Sequence, residues 1–218
     1  MFMKQIQTTL CLTVAVSLLP AQSPKTQALL MSLSANGKQM TAYQWKQRTT
    51  IIRKGTTAGV KLDEVRFDMN GQLQRITLAA PEEKKMGPLR ARKAAEVKST
   101  VQEVMMLASR YANPQEIGKA IRKGEVWEGQ GTLRVRSQAL IVPLDEMQMQ
   151  FNSASYLPLR AEFRTQHEGS PVTIGIDYQQ LPNGPSVMTR MTVQIPGEDV
   201  LVTVDSYDFV RLAAPSAL

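Results

Sequence analysis

The segments Val172-Thr-Ile-Gly-Ile-Asp-Tyr178 and Val187-Met-Thr-Arg-Met-Thr-Val-Gln-Ile195 decide the fold. Along the first, Val172, Ile174, Ile176 and Tyr178 share one side of an extended chain; along the second, Val187, Thr189, Met191, Val193 and Ile195 do so. The same period of two runs through Met147, Met149 and Phe151, and sets Leu159, Ala161 and Phe163 against Arg160, Glu162 and Arg164. Between these runs lie Asn152-Ser-Ala-Ser155, His167-Glu-Gly-Ser-Pro171, Leu181-Pro-Asn-Gly-Pro185 and Pro196-Gly-Glu-Asp199. Each supplies Gly, Pro or Asn where a chain must reverse. Asp145 to Leu212 therefore reads as an antiparallel sheet with one apolar face.

A second block of strands precedes it. Tyr43, Trp45, Thr49 and Ile51 fall on one side of a segment, with Gln44, Lys46 and Arg48 on the other. Val60 and Leu62 then point one way and Val65 and Phe67 the other, so a bulge is expected at Asp63-Glu64. Asn70-Gly71 is a strong hairpin signal leading into Leu73, Ile76 and Leu78. Between the two blocks the period changes. Ala94, Val97, Val101, Val104, Ala108 and Tyr111 recur at intervals of three and four, which predicts one long helix over Leu89 to Tyr111. Asn113-Pro114 caps a shorter helix carrying Ile117, Ala120 and Ile121 and ended by Gly124, and Trp127 to Gly131 reads as a glycine-rich connection. Ser23-Pro24 opens an N-terminal helix with Ala28, Leu29, Met31 and Leu33 that is expected to stop at Asn36-Gly37. An apolar sheet face must be covered. The expected architecture is α+β, a strongly curved antiparallel sheet whose concave face is covered by the long helix and the shorter ones.

Lys4, the apolar run Leu10 to Leu19 and the small residue in Pro20-Ala21-Gln22 are the parts of a secretory signal peptide, too short to span a bilayer as an anchor. Residues 1–21 are read as leader, 22–212 as one domain and 213–218 as a flexible tail. Cys11, the one cysteine of the chain, falls inside the leader, which removes disulfides and thiol chemistry from the exported protein. The expected location is the periplasm or the medium, and the chain is not expected to be an integral membrane protein. The net charge is +7. With Lys4 the leader's one charged residue, the exported domain keeps a net charge near +6, which favours anionic surfaces or simply maintains solubility.

Catalytic groups are sparse. His167 is the one histidine and lies in a polar turn, and the acidic pairs Asp63-Glu64, Glu82-Glu83, Asp145-Glu146 and Glu198-Asp199 read as solvated or as pointing to opposite faces. No catalytic residue, metal site or cofactor is assigned. Trp127-Glu-Gly-Gln-Gly131 lacks the Lys-Ser/Thr of a phosphate loop. Nucleic acid is not expected as a partner, because the basic segment has no aromatic platform and the leader directs the chain out of the cytoplasm.

The order of parts resembles the LolA-like superfamily of periplasmic lipoprotein and lipid carriers. The resemblance rests on the leader, on a helix leading into Tyr43-Gln-Trp-Lys-Gln-Arg48, and on Phe151-Asn-Ser-Ala-Ser-Tyr-Leu-Pro-Leu-Arg160 followed by successive strands. The chain is similar, too, to a family of uncharacterised bacterial exported proteins with the same layout. The long charged helix departs from the carriers' pattern. The resemblance implies a half-barrel closed by helices and a lipid or lipoprotein acyl chain as partner.

Methionine, flexible and polarizable, suits walls that accept variable apolar ligands, and it fills ordinary cores equally well. A slot between Val101, Val104 and Met105 on the helix and Met147, Met149, Phe151, Phe163, Ile174 and Ile176 on the sheet would take an acyl chain. Lys84, Lys85, Arg90, Arg92 and Lys93 would meet an anionic headgroup or a partner, or form a solvated helix face. The expected function is a non-catalytic exported protein that binds a lipid, acyl chain or lipidated partner. The alternatives are an envelope protein-protein interaction or regulatory module with a filled core, and an enzyme of acidic residues converging from distant parts of the chain.

Overall fold

The computed structural model describes residues 23–80 and 87–212. Ten strands make one antiparallel sheet: β1 (Tyr43–Arg53), β2 (Thr56–Phe67), β3 (Leu73–Ala79), β4 (Glu125–Gly129), β5 (Thr132–Gln138), β6 (Glu146–Asn152), β7 (Pro158–His167), β8 (Ser170–Gln180), β9 (Ser186–Ile195) and β10 (Val200–Arg211). The order is β3-β2-β1-β10-β9-β8-β7-β6-β5-β4. The early meander is thus joined to the late one through the β1–β10 pairing, and the curved sheet stays open with β3 and β4 as its edges. Three helices complete the fold: α1 (Pro24–Met40), α2 (Pro88–Tyr111) and α3 (Pro114–Lys123). No helix among the described residues is long and apolar enough to cross a membrane.

Register carries the apolar pattern from strand to strand. Ser137, Met147, Phe163, Ile174, Val193, Val202 and Ile51 stand opposite one another in turn across β5 to β10 and on to β1. Val135, Met149, Ala161, Ile176, Met191 and Val204 form the next row. These rows face the helices. Leu29 of α1, Val101, Val104, Ala108 and Tyr111 of α2, and Ile117, Ala120 and Ile121 of α3 belong to one buried cluster with them. Two strand blocks with a helical insert covering the apolar inner face is the layout expected from the sequence.

Helix starts follow local chemistry. The Ser23 hydroxyl accepts from the Thr26 N–H at 3.2 Å, and the Asn113 side chain accepts from the Gln115 N–H at 2.8 Å, each satisfying a first-turn donor. Gly87, before α2, offers no side chain for this. At Gly124 an added Cβ would lie 2.7 Å from the Arg136 carbonyl and 2.9 Å from Val135, so only glycine lets the end of α3 pass this close to β5.

Several local expectations are corrected. Helix α1 runs through Asn36-Gly37 to Met40, because the Asn36 side chain is spent elsewhere: it donates to the Ser186 carbonyl at 2.8 Å and accepts from the Ser186 N–H at 2.7 Å. This amide-to-peptide pair fixes α1 on β9. Trp127 to Gly131 is strand β4 and a hairpin turn, with Gln130 and Gly131 at φ 40° and 76°. Leu159 is 39% exposed. A register shift pairs Phe151 with Pro158, so Pro158 takes the inner place and Leu159 turns outward. At Asp63 the register shifts against β3, while β2 keeps its alternation against β1. Lys61, Asp63, Val65 and Phe67 therefore share the inner side, and Val60 is 44% exposed on the outer one.

Candidate functional site

The inner wall is built from β5 to β10, and the expected ligand-lining residues all lie in it or against it. Met147, Met149, Phe151, Phe163, Ile174 and Ile176 are at most 1% exposed. On the roof, Val101 and Val104 are 6% and 1% exposed, and Met105 is half-buried against the same cluster. The structure brings the nine into one packed cluster, closed to water except at Met105. Hydrophobic burial of this kind contributes about 1.5–3 kcal/mol for each large side chain.

Polar groups concentrate at the C-terminal end of the roof. The Tyr111 ring sits 5.3 Å from that of Phe163, inclined at 43°. Its hydroxyl donates to Asp145 Oδ2 and shares a 2.8 Å hydrogen bond with Thr165 Oγ1. Asp145 Oδ2 also accepts from the backbone N–H groups of Ile141 and Val142 at 3.0 and 2.8 Å. The residue is 1% exposed, and its Oδ1 has no partner. Burial, reinforced by the Asp145 contact, holds the Tyr111 hydroxyl well above its ordinary pKa. Asp145 is thus the buried end-anchor of the loop 139–145, where the sequence pattern placed a solvated turn residue.

A second polar feature crosses the other half of the sheet. Ser206, Gln47, Asp63 and Thr77 stand opposite one another on β10, β1, β2 and β3. Gln47 and Asp63 are each 2% exposed. Gln47 donates to the Ser206 hydroxyl at 3.2 Å, and Thr77 donates to Asp63 at 2.8 Å. Lys61 pairs with the same carboxylate at 2.9 Å. Trp45, Phe67 and Phe209 border this row, with Trp45 centred 5.9 Å from each of the other two rings. The apolar wall therefore ends in a polar, aromatic-edged margin. The signal was parity alone: Gln47 alternates in step with Trp45 and Thr49, and Asp63 with Val65.

His167 ends β7 rather than sitting in the turn, and its side chain is 21% exposed. Its Nε2 lies 3.3 Å from Glu103 Oε2 on α2, and Glu168 completes a cluster whose ligand-type atoms lie within 4.8 Å of one another. The pattern along α2 could not show this meeting, because it joins residues 64 positions apart. Of the basic residues, Arg92 is exposed; Lys84, Lys85 and the side chains of Arg90 and Lys93 lie outside the described residues, as do the leader and the tail. Two surface depressions lie among the described residues, the second beside the C-terminal end of α2. One of about 660 Å³ is lined by Ile52, Lys54, Gln194, Pro196 and Asp199, and one of about 340 Å³ by Arg110, Asn113, Glu116, Leu140 and Ile141.

No protein-family model and no curated protein matches the chain. Solved structures do. A DUF1329 family protein from Desulfovibrio piger is 10% identical, with a TM-score of 0.45 over 89% of this chain and 96% of that one. A putative outer membrane lipoprotein-sorting protein domain from Vibrio parahaemolyticus is 9% identical, with a TM-score of 0.41 over 87% and 92%. The LolA superfamily protein NE2245 from Nitrosomonas europaea is 11% identical, with a TM-score of 0.36 over 87% and 94%. The α+β layout expected from the sequence, an open curved antiparallel sheet with helices over its inner face, is the layout observed, and a LolA superfamily protein is among the structures similar to this chain.

Proposed function

We propose that the chain is a non-catalytic exported protein that binds an acyl chain or lipidated partner against the inner wall of its sheet, with α2 as a roof that lifts. The observation that carries this reading is the apolar wall itself. It runs without a break across β5 to β10, and α2, one of the three helices that cover it, is joined to it by an apolar stripe, by the Glu103–His167 pair and, at its C-terminal end, by the Tyr111 hydroxyl. With that end held, the roof lifts at Val101, Val104 and Met105. Exposing three such side chains costs roughly 5–9 kcal/mol. A chain of about fourteen methylenes, at ~0.8 kcal/mol each, returns roughly 11 kcal/mol. The exchange favours loading by roughly 2–6 kcal/mol, a margin small enough for loading to be reversible. The basic residues at the start of α2, Arg90, Arg92 and Lys93, with Lys84 and Lys85 before them, would meet the anionic headgroup. Export to the periplasm or medium, through the leader at residues 1–21, is part of the same proposal.

The complete burial of the wall favours a second reading, a regulatory or protein-binding module with a permanently filled core. One experiment separates the two. Organic-solvent extraction of the purified protein followed by mass spectrometry, with a fluorescent fatty acid titrated into the same protein, is expected to show a co-purified lipid or saturable binding. A protein that is empty and does not bind the probe leaves the filled-core module as the account.

A further inference from the structure

We infer that Glu103, His167 and Glu168 form a binding site for one divalent transition-metal ion of the zinc type, bridging α2 and the β7–β8 turn. The donor set is one imidazole nitrogen and two carboxylates, which suits zinc in preference to magnesium or calcium. Three observations carry the inference. The first is separation: His167 Nε2 and Glu103 Oε2 are 3.3 Å apart. That is longer than a charge-assisted N–H···O bond of about 2.7–2.9 Å, and it matches the ~3.3 Å between neighbouring ligands on a tetrahedral ion with bonds of about 2.0–2.1 Å. The second is the state of the nitrogen: His167 Nε2 is shielded from water and makes no hydrogen bond, facing the Glu103 carboxylate at 3.3 Å without a direct bond to it, a demand that an ion between the two would satisfy. The third is support from outside the cluster. Ser99 donates to the other oxygen of Glu103 at 3.1 Å, which turns Oε2 toward His167 as an outer-sphere contact turns a metal ligand.

Glu168 is exposed and within 4.8 Å of both other ligand atoms, so it closes on the ion by side-chain rotation, and water takes the remaining position. An ion here would tie the middle of α2 to the sheet, and on the carrier reading it would hold the roof down. The binding itself does not depend on that reading. His167 is the one histidine of the chain, so its substitution removes the sole imidazole.

The test is isothermal titration of tag-free protein with zinc chloride in a non-chelating buffer, beside thermal melts with and without the metal. Expected are one ion per chain, a melting rise of about 5–10 °C at hundredfold excess over Kd, loss of saturable binding in His167→Gln, and at least tenfold weaker binding in Glu103→Gln. Circular dichroism of both variants without metal checks that they fold. Glu103 is half-exposed, so its variant keeps the test alive should His167→Gln misfold. Absence of saturable binding in the parent protein, or unchanged affinity in a folded His167→Gln or Glu103→Gln, overturns the site.

Discussion

Replacing Tyr111 by Phe removes a single oxygen from the junction of roof and sheet, and the structure fixes what is lost. The ring stays, with its 5.3 Å contact to Phe163, so the apolar contribution is conserved. The hydroxyl's donation to the Asp145 carboxylate disappears, and Thr165 Oγ1 loses its 2.8 Å partner. A hydrogen bond to a charged group contributes about 1.5–3 kcal/mol, and leaving a buried hydroxyl unpaired costs more within the same range. Asp145 keeps its two backbone donors, which limits the damage. The expected loss is about 2–3 kcal/mol, or roughly 4–12 °C in melting temperature for a domain of this size. Urea denaturation followed by tryptophan fluorescence measures it. Tyr178→Phe is the internal control: that half-buried residue has no side-chain hydrogen bond among the described residues, so removing its hydroxyl strands no partner and is expected to be close to neutral. If Tyr111→Phe is no more destabilising than Tyr178→Phe, the anchor at the end of α2 contributes nothing.

The same group sets an alkaline limit. Tyr111 ionises above its ordinary value near 10.0 in the folded chain, so its contribution is complete below that pH and falls as pH rises, since only the unfolded state then releases the proton. Denaturation midpoints measured from pH 8 to 11 are expected to decline less steeply in Tyr111→Phe than in the parent. Asn36→Ala strands the Ser186 N–H and carbonyl and is expected to cost about 1–3 kcal/mol by urea denaturation, with faster amide exchange over the last turn of α1. Phe163→Ala, at a site with no exposure, is expected to cost about 3–5 kcal/mol in the same assay; a loss below 1 kcal/mol would mean that the wall is loosely packed.

The strands were legible because the sheet has one wet face, which stamps a period of two on nearly every segment, and α2 because its buried stripe recurs at three and four. The illegible parts are those where a partner distant in sequence decides. Asn36-Gly37 has the composition of a stop, yet Asn36 bonds to Ser186 and the helix continues. Leu159 alternates with the core on paper, yet a shift at Pro158 turns it outward. Asp63, Gln47 and Asp145 carry the chemistry of surface residues and are buried because register or a loop closes over them. The nine residues expected to line a slot were picked out as a group from the facing of apolar stripes, and the structure packs them into one cluster. The polar row on β1 to β3 and the cluster of Glu103, His167 and Glu168 were not found, since each is assembled from residues that only folding makes neighbours.

Hydrogen–deuterium exchange of the purified protein, with and without a saturating fluorescent fatty acid, tests the moving roof most directly. Amides of Val101 to Ala108 are expected to change protection on loading while those of β8 and β9 hold theirs. Identical exchange across α2 under conditions where the probe is bound, or no binding at all, would contradict a wall that opens to an acyl chain.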